Sequence, residues 1–294
     1  MICVRLDGGL GNQLFQYSIG RSLAARYQCD LLLDASQMGT ENYRVTSRVL
    51  ELHHFRHVGC ISVSPVLPKP WLKNHVSIFS RLFSRWVIYI EKGLGYNSKF
   101  LCLPDGSYLI GYWQSYRYFE DIAELLFAEL IPIAPLSKEN QVTAEYIQAT
   151  NSVAIHVRRG DYVSDPRATR FHGVPDSSYY LKAISRVYEE VVDPTFFIFS
   201  DDIDWCYENL TIDPDKTVFV DGNSGANSWQ DLVLMSKCRH HVIANSSFSW
   251  WGAWIADQRY LGSKRVVISP MNWFANQKNK DVIDRFPSHW AQLG

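Results

Sequence analysis

The segment Val153-Ala154-Ile155-His156-Val157-Arg158-Arg159-Gly160-Asp161 joins an apolar run to a histidine, two arginines and an aspartate. The apolar half reads as a buried strand, and charges at its tip contribute nothing to packing. In an open α/β sheet the ligand crevice lies off the carboxyl ends of the strands, so this cluster stands where an anion would dock. Arginine supplies a planar, permanently charged fork that matches phosphate oxygens. An internal ion pair between Asp161 and one arginine is the plain alternative. That pair alone would require neither the second arginine nor His156 nor Gly160, so phosphate recognition is the expectation.

A second constellation is Ala244-Asn245-Ser246-Ser247-Phe248-Ser249-Trp250-Trp251-Gly252-Ala253-Trp254. A strand runs into small hydroxyl residues and then a helix, whose first N–H groups have no intrahelical acceptor and form a ready anion site. Helix capping by Ser246 or Ser247 is the plain reading of the same residues, and the tryptophans are expected to pack. A third, Asp7-Gly8-Gly9-Leu10-Gly11-Asn12-Gln13, follows a strand, opens a helix and precedes Asp34, as a nicotinamide dinucleotide fingerprint would. Leu14 occupies the third glycine position, so that match is partial, and a substrate-facing role for Asn12 and Gln13 is preferred. In Phe199-Ser200-Asp201-Asp202-Ile203-Asp204 the acids resemble a metal-holding pattern. Capping of the next helix by Asp201 or Asp202 explains them better, with one acid, Asp202, placed to accept from a purine base.

These residues need a scaffold, and the hydrophobic pattern provides one. A strand at 2–6, a helix carrying Leu14, Ile19, Leu23 and Tyr27, and a strand at Leu31–Leu33 form a β-loop-α-β unit. Residues 38–70 are irregular. Phe79, Leu82, Phe83, Trp86, Val87 and Ile90 fall at helical spacing with Arg81 and Arg85 among them, which predicts a packing helix or, alternatively, weak peripheral membrane contact through 76–92. A strand at 108–110 and a helix at 118–130 follow, and Pro132 and Pro135 mark a domain boundary. Beyond it helices near 138–149, 177–190, 203–209, 228–236 and 248–258 alternate with strands at 153–157, 195–200, 217–220, 241–244 and 265–269. Strict alternation predicts a parallel, doubly wound sheet.

Bulk composition narrows the partners. The 294 residues suffice for one large or two medium domains, and 29 basic against 30 acidic residues create no overall field toward nucleic acid or an anionic membrane. The six cysteines lie far apart, without zinc or redox spacing, and suit reduced cytosolic thiols. No apolar run approaches the roughly 18 residues of a spanning helix, and the chain opens on a strand-like segment, so a cytoplasmic protein is expected.

Three motifs together resemble the α-1,2-fucosyltransferase family, glycosyltransferase family 11. They are Gly8-Gly9-Leu10-Gly11-Asn12-Gln13-Leu14-Phe15-Gln16-Tyr17, His156-Val157-Arg158-Arg159-Gly160-Asp161, and Asp231-Leu232-x-Leu234-Met235 followed by Asn245 to Trp254. The resemblance spans nearly the whole chain. It implies an α/β GT-B fold of two Rossmann-like domains facing across a cleft, residues 1–135 on the acceptor side and 136–294 binding GDP-fucose. It further implies a galactose-terminated oligosaccharide as acceptor, inversion at the anomeric carbon, no metal and no cofactor, in a bacterial, cytoplasmic form. By the same resemblance Arg158 holds the phosphate and Asn12 lies beside the reacting centre. Gly11, His156, Arg158, Asp202, Asn245, Ser246, Ser247 and Phe248 are the expected donor-binding set. Asp7 and Asp161 are the carboxylates available as general base, a β-phosphate oxygen being the alternative and orientation of Arg158 a second role for Asp161. A non-catalytic sugar or nucleotide binder on the same scaffold is the competing class.

Overall fold

The computed structural model describes residues 1–39, 49–66, 86–275 and 284–294. The chain forms two units, one of Met1–Ile133 with Ile283–Arg285, the other of Ala134–Val282 with Phe286–Gly294. The return of Ile283–Arg285 to the first unit has no counterpart in the linear reading, which placed a single boundary near residue 135.

The first unit carries strands β1 (Ile2–Arg5), β2 (Leu31–Asp34), β3 (Cys60–Ser62), β4 (Val87–Ile90) and β5 (Ser107–Ile110), with helix α1 (Leu10–Tyr27) between β1 and β2 and helix α2 (Ala123–Glu129) near its end. All strand pairs are parallel, in the order β3-β2-β1-β5-β4, so the order reverses beside β1. Ile2, Cys3 and Val4 are fully buried, as expected of a central strand covered on both faces. The helix approaches this sheet closely at Gly20, where an added Cβ would lie 2.5 Å from Val4 Cγ2 and 2.8 Å from Leu31 Cδ1. The tight helix–sheet contact that Leu14 denies is thus made farther along the same helix.

One expectation needs correction here, and one discounted alternative is removed. Val87–Ile90 is a strand paired with β5 in the register Val87↔Ser107 to Ile90↔Ile110, and it does not continue a helix from residue 79. The β-branched Val87, Ile88 and Ile90 favour a pleated, half-buried surface, and Trp86 turns inward against Cys3 and Tyr108. The remainder of the 76–92 stretch, residues 76–85, lies outside the described residues. The dinucleotide reading also fails. Asp34 is buried and accepts from Tyr108 Oη at 2.6 Å and Ser36 N at 3.0 Å, so it is not presented to a ribose. At the start of α1, Leu10 N donates to Glu51 Oε2 at 3.3 Å, which sets a carboxylate where a pyrophosphate would have to sit.

The second unit contains helix α3 (Lys138–Ala149), strand β6 (Asn151–Val157), short helices α4 (Gly160–Ser164) and α5 (Pro166–His172), helix α6 (Ser177–Glu190), strand β7 (Pro194–Ser200), helix α7 (Ile203–Asn209), strand β8 (Thr217–Val220), helix α8 (Trp229–Met235), strand β9 (His240–Val242), helix α9 (Ser247–Arg259), and strands β10 (Val267–Pro270) and β11 (Ala291–Leu293). Its sheet is wholly parallel, in the order β11-β10-β9-β6-β7-β8. This is the doubly wound arrangement, and the order switches between β6 and β9. Val153, Ile155 and Val157 meet Phe196 and Ile198 across the sheet and Tyr180, Ala183 and Val187 from α6. The tryptophans of the 250–254 run pack as expected: Trp250 and Trp251 are fully buried and Trp250 also meets Trp290 at 5.6 Å between ring centroids. Helices α4 and α5 and strand β11 add to the predicted elements. The first two are largely exposed and so carry no apolar period to read.

No described helix is long and apolar enough to cross a membrane.

Candidate functional site

The parallel register Val153↔His240, Ala154↔His241 and Ile155↔Val242 places the carboxyl ends of β6 and β9 side by side. Residues 156–160 therefore emerge beside residues 243–248. At the tip of β6 each arginine meets a different acid from the end of β7. Arg158 Nη1 lies 2.9 Å from Asp201 Oδ2, and the same carboxylate accepts from Arg159 N at 2.8 Å through Oδ1. Arg159 Nε donates to Asp202 Oδ2 at 2.9 Å while its guanidinium lies 4.4 Å from the centroid of the Trp205 ring. Gly160 leaves room for this carboxylate, since a Cβ there would fall 2.4 Å from Asp201 Oδ2 and displace it. The carboxylate seen to orient Arg158 is therefore Asp201. The backbone of Asp161 belongs to α4, and its side chain lies outside what is described.

Asp202 serves two structural ends, since its Oδ1 also accepts from Trp205 N at 3.2 Å and caps α7. Clamped by pairing and stacking, Arg159 braces the tip, while Arg158 links to the neighbouring turn through Tyr162. Its guanidinium lies 5.7 Å from the Tyr162 ring, and Tyr162 Oη donates to Asn245 O at 3.4 Å.

That turn is built from the expected residues with distinct duties. Asn245, 2 % exposed, donates from Nδ2 to the carbonyls of His172 (2.9 Å), Trp273 (3.2 Å) and Gly173 (3.3 Å). It staples the 160–173 insertion and the segment after β10 to the end of β9, and its Oδ1 is buried without a partner among the described residues. Ser246 is the N-cap of α9, accepting from Phe248 N at 3.3 Å. Ser247 and Phe248 form the first turn of a thirteen-residue helix, at its positive end. His156 completes the tip, its ring 5.9 Å from that of Phe248 and its Nδ1 buried without a partner among the described residues. Burial pulls this imidazole down to about 4, with Asp201 opposing and Arg158 reinforcing the shift, so it is neutral at physiological pH. The assembly combines an oriented guanidinium, a helix N-terminus and a neutral imidazole at one switch point. Such a set can stabilise a developing oxyanion charge.

In the first unit, the loop after β1 is organised by side-chain amides. Gln13, fully buried, donates from Nε2 to Gly8 O and Val49 O, both at 2.9 Å, and accepts from Glu51 N (2.9 Å) and Leu52 N (3.0 Å). It is a staple, contrary to the substrate-facing role expected of it. Gln16 joins two loops, accepting from Asp7 N at 2.9 Å and donating to Gly111 O at 3.0 Å. Gly11 is buried in the first turn of α1. Asn12 is partly exposed, and its Oδ1 accepts from Gln114 Nε2 at 2.7 Å. Gln114 Oε1 in turn accepts from Arg285 Nη1.

The expected residues thus form two groups, Asp7, Gly11 and Asn12 in the first unit and the others in the second. Sequence reasoning missed Asp201 as the partner of Arg158, and it missed Gln114 and Arg285. Charge at the end of β7 was a visible signal for Asp201. Nothing local signalled the other two, which stand 171 positions apart. Among the described residues no three His, Cys, Asp or Glu side chains converge as a metal-ligand set.

Comparison with known proteins gives this architecture a family. The profile of Glycosyl transferase family 11 matches residues 86–293. An α-1,2-colitosyltransferase of Escherichia coli is 33% identical over 306 residues, covering 100% of this chain and 99% of that protein. The O-antigen biosynthesis glycosyltransferase WbnK of Escherichia coli is 31% identical over 300 residues, covering 95% and 97%. Among solved structures, the fucosyltransferase NodZ from Bradyrhizobium superposes with a TM-score of 0.50 at 13% identity, covering 86% of this chain and 92% of its own, a likeness of fold. Two parallel-sheet α/β units of the GT-B type, an arginine tip beside a serine-capped helix, and a family profile that covers most of the sequence lead to one conclusion: the chain is a glycosyltransferase and belongs to glycosyltransferase family 11.

Proposed function

We propose that this glycosyltransferase moves L-fucose from GDP-fucose to the 2-hydroxyl of a terminal galactose, with inversion, during synthesis of a surface polysaccharide. The observation that carries the reading is the convergence of Arg158 and the Ser246–Phe248 turn at the switch point of the second sheet. As the acceptor oxygen bonds to the anomeric carbon, the bond from that carbon to the β-phosphate oxygen breaks and negative charge gathers on the diphosphate. Arg158, held by Asp201, and the first amides of α9 meet that charge; His156 adds a neutral hydrogen-bonding group. The proton released by the acceptor goes to Asp7, to Asp161 or to a β-phosphate oxygen, and Asn12 lies beside the reacting centre. Because Arg158 and the helix end already offset the charge, the reaction proceeds without metal or cofactor. The O-antigen biosynthesis role of WbnK supports the polysaccharide setting, and the α-1,2 linkage made by the colitosyltransferase supports the position of attack.

The 33% identity to a colitosyltransferase favours a second reading, in which the transferred sugar lacks the 3-hydroxyl of fucose. Incubation of the purified chain with equal GDP-fucose and GDP-colitose, a panel of galactosides and excess EDTA separates the two. Release of GDP and a fucosylated product is expected; preferential consumption of the dideoxy donor assigns the second reading, and loss of turnover with EDTA refutes metal independence. Asp7→Asn and Asp161→Asn, assayed against pH, identify the base, and an unchanged profile in both leaves the phosphate oxygen in that role. The reading carries a cytoplasmic location, which fractionation of cells expressing the chain tests.

A further inference from the structure

Asn12 stands at the end of a hydrogen-bond chain whose polarity is set at the other end. The Arg285 side chain is buried, and a guanidinium has N–H donors and no acceptor. It therefore faces the carbonyl oxygen of Gln114, never the amide nitrogen, and Arg285 Nη1 donates to Gln114 Oε1. With its oxygen so engaged, Gln114 turns Nε2 toward Asn12 and donates to Asn12 Oδ1 at 2.7 Å. The Asn12 amide is fixed in consequence, with its Nδ2 directed away from Gln114 and over Gly8. A Cβ at Gly8 would lie 2.5 Å from that nitrogen, and Gly8 itself has φ +79, a conformation that glycine adopts without strain.

The turn that carries Gln114 is held with unusual firmness. Trp113, 1 % exposed, lies in the left-handed region at φ 55, which is strained for a bulky aromatic. Glu91 sustains it by accepting from Tyr112 N at 2.7 Å and Trp113 N at 3.0 Å. Gln16 ties the same turn, at Gly111 O, to the backbone of Asp7. Two loops of the first sheet are thereby locked together around one amide.

We propose that Arg285 and Gln114 are positioning residues that lock Asn12 as a hydrogen-bond donor, so that Asn12 serves transfer through its N–H groups, directed at an oxygen of the bound substrates, and neither as a base nor as an acceptor. The inference rests on the placement of Asn12 beside the reacting centre. It adds the direction in which that residue acts and the two residues that impose it.

Gln114→Glu tests the relay. The variant is nearly isosteric and still accepts from Arg285, but it offers Asn12 an acceptor, and the Asn12 amide must turn over to donate to it. Turnover with GDP-fucose and a reactive galactoside is expected to fall roughly 10- to 100-fold in kcat, with KM for the donor within about twofold. In the Asn12→Ala background the same substitution is expected to add less than about twofold, because the amide it would turn is gone. A crippled Asn12→Ala beside a normal Gln114→Glu, or losses that multiply fully in the double variant, overturns the relay alone. Wild-type turnover in Asn12→Ala overturns the placement of Asn12 and the relay with it. Should Gln114→Glu fail to fold, Asn12→Asp carries the test: it keeps the shape and the bond from Gln114 but has no N–H. The same loss in kcat supports the relay, and unchanged turnover overturns it.

Discussion

The two sheets present switch points of similar topology and opposite chemistry. At the tip of β6 and β9 the second unit gathers charge: Arg158 with Asp201, Arg159 with Asp202, and a buried imidazole kept neutral beside them. At the tip of β1 and β5 the first unit gathers amides: Gln13, Gln16, Asn12 and Gln114, with one buried guanidinium at the end of the line. Charge suits a departing diphosphate, whose stabilisation grows as the bond breaks. Amides suit sugar oxygens, which need direction more than field. The same fold thus carries charge at one tip and amides at the other, and the difference lies in the few residues that follow each strand.

The sharpest way to break this comparison is Arg158→Ala. Removal of one oriented donor is expected to raise the barrier by about 3–4 kcal/mol, a 10²- to 10³-fold loss in kcat, with unfolding temperature nearly unchanged. Arg158→Lys is expected to recover little, because a point charge replaces a fork; near-normal turnover in either variant removes charge from the centre of the account.

Acid should separate the two regions next. His156 and His240 are both pulled down to about 4, chiefly by burial, from an ordinary value of 6.5. The unfolded chain therefore binds more protons than the folded one between pH 4 and 6.5, and stability falls as pH drops through that window, by on the order of 3 kcal/mol for His156. Asp231 acts with the opposite sign: burial raises it to about 7 from 3.8, so its contribution declines as pH rises through that interval. Hydrogen exchange from pH 7 to 5 is expected to loosen β6 and β9 ahead of β1 and β5. Uniform loosening would dissolve the distinction.

Two smaller effects sharpen the structural side. Gly20→Ala drives a methyl against Val4 in the buried first sheet and is expected to cost about 2 kcal/mol in a urea titration, the overpacking strain outweighing the helix-propensity gain. Ser246→Ala removes the cap of α9 and is expected to cost about 1 kcal/mol, with weaker retention of GDP in the same preparation. An uncapped helix that retains GDP as the parent does would detach the turn from the nucleotide.

Much of the second unit was legible because parallel strands buried on both faces read as apolar runs, as Val153–Ile155 and Phe196–Phe199 do, and because α6 shows its inward face at helical spacing. The strand Val87–Ile90 was misread for a related reason: a short apolar run is compatible with both periods, and only its pairing with Ser107–Ile110 decides. Gln13 looked like a ligand-facing side chain because polarity on a glycine-rich turn is the same signal whether the amide meets a substrate or four backbone groups.

The sequence by itself determined which residues could hold a diphosphate and which strands would carry them, since residue type and hydrophobic period are local properties. The tertiary structure decided who restrains whom. Asp201 reaches Arg158 because β7 lies beside β6, and Arg285 reaches Gln114 across 171 positions because the chain returns to its first unit. Hydrogen-bond polarity passes through space from a guanidinium that can only donate, and no spacing along a chain encodes that direction.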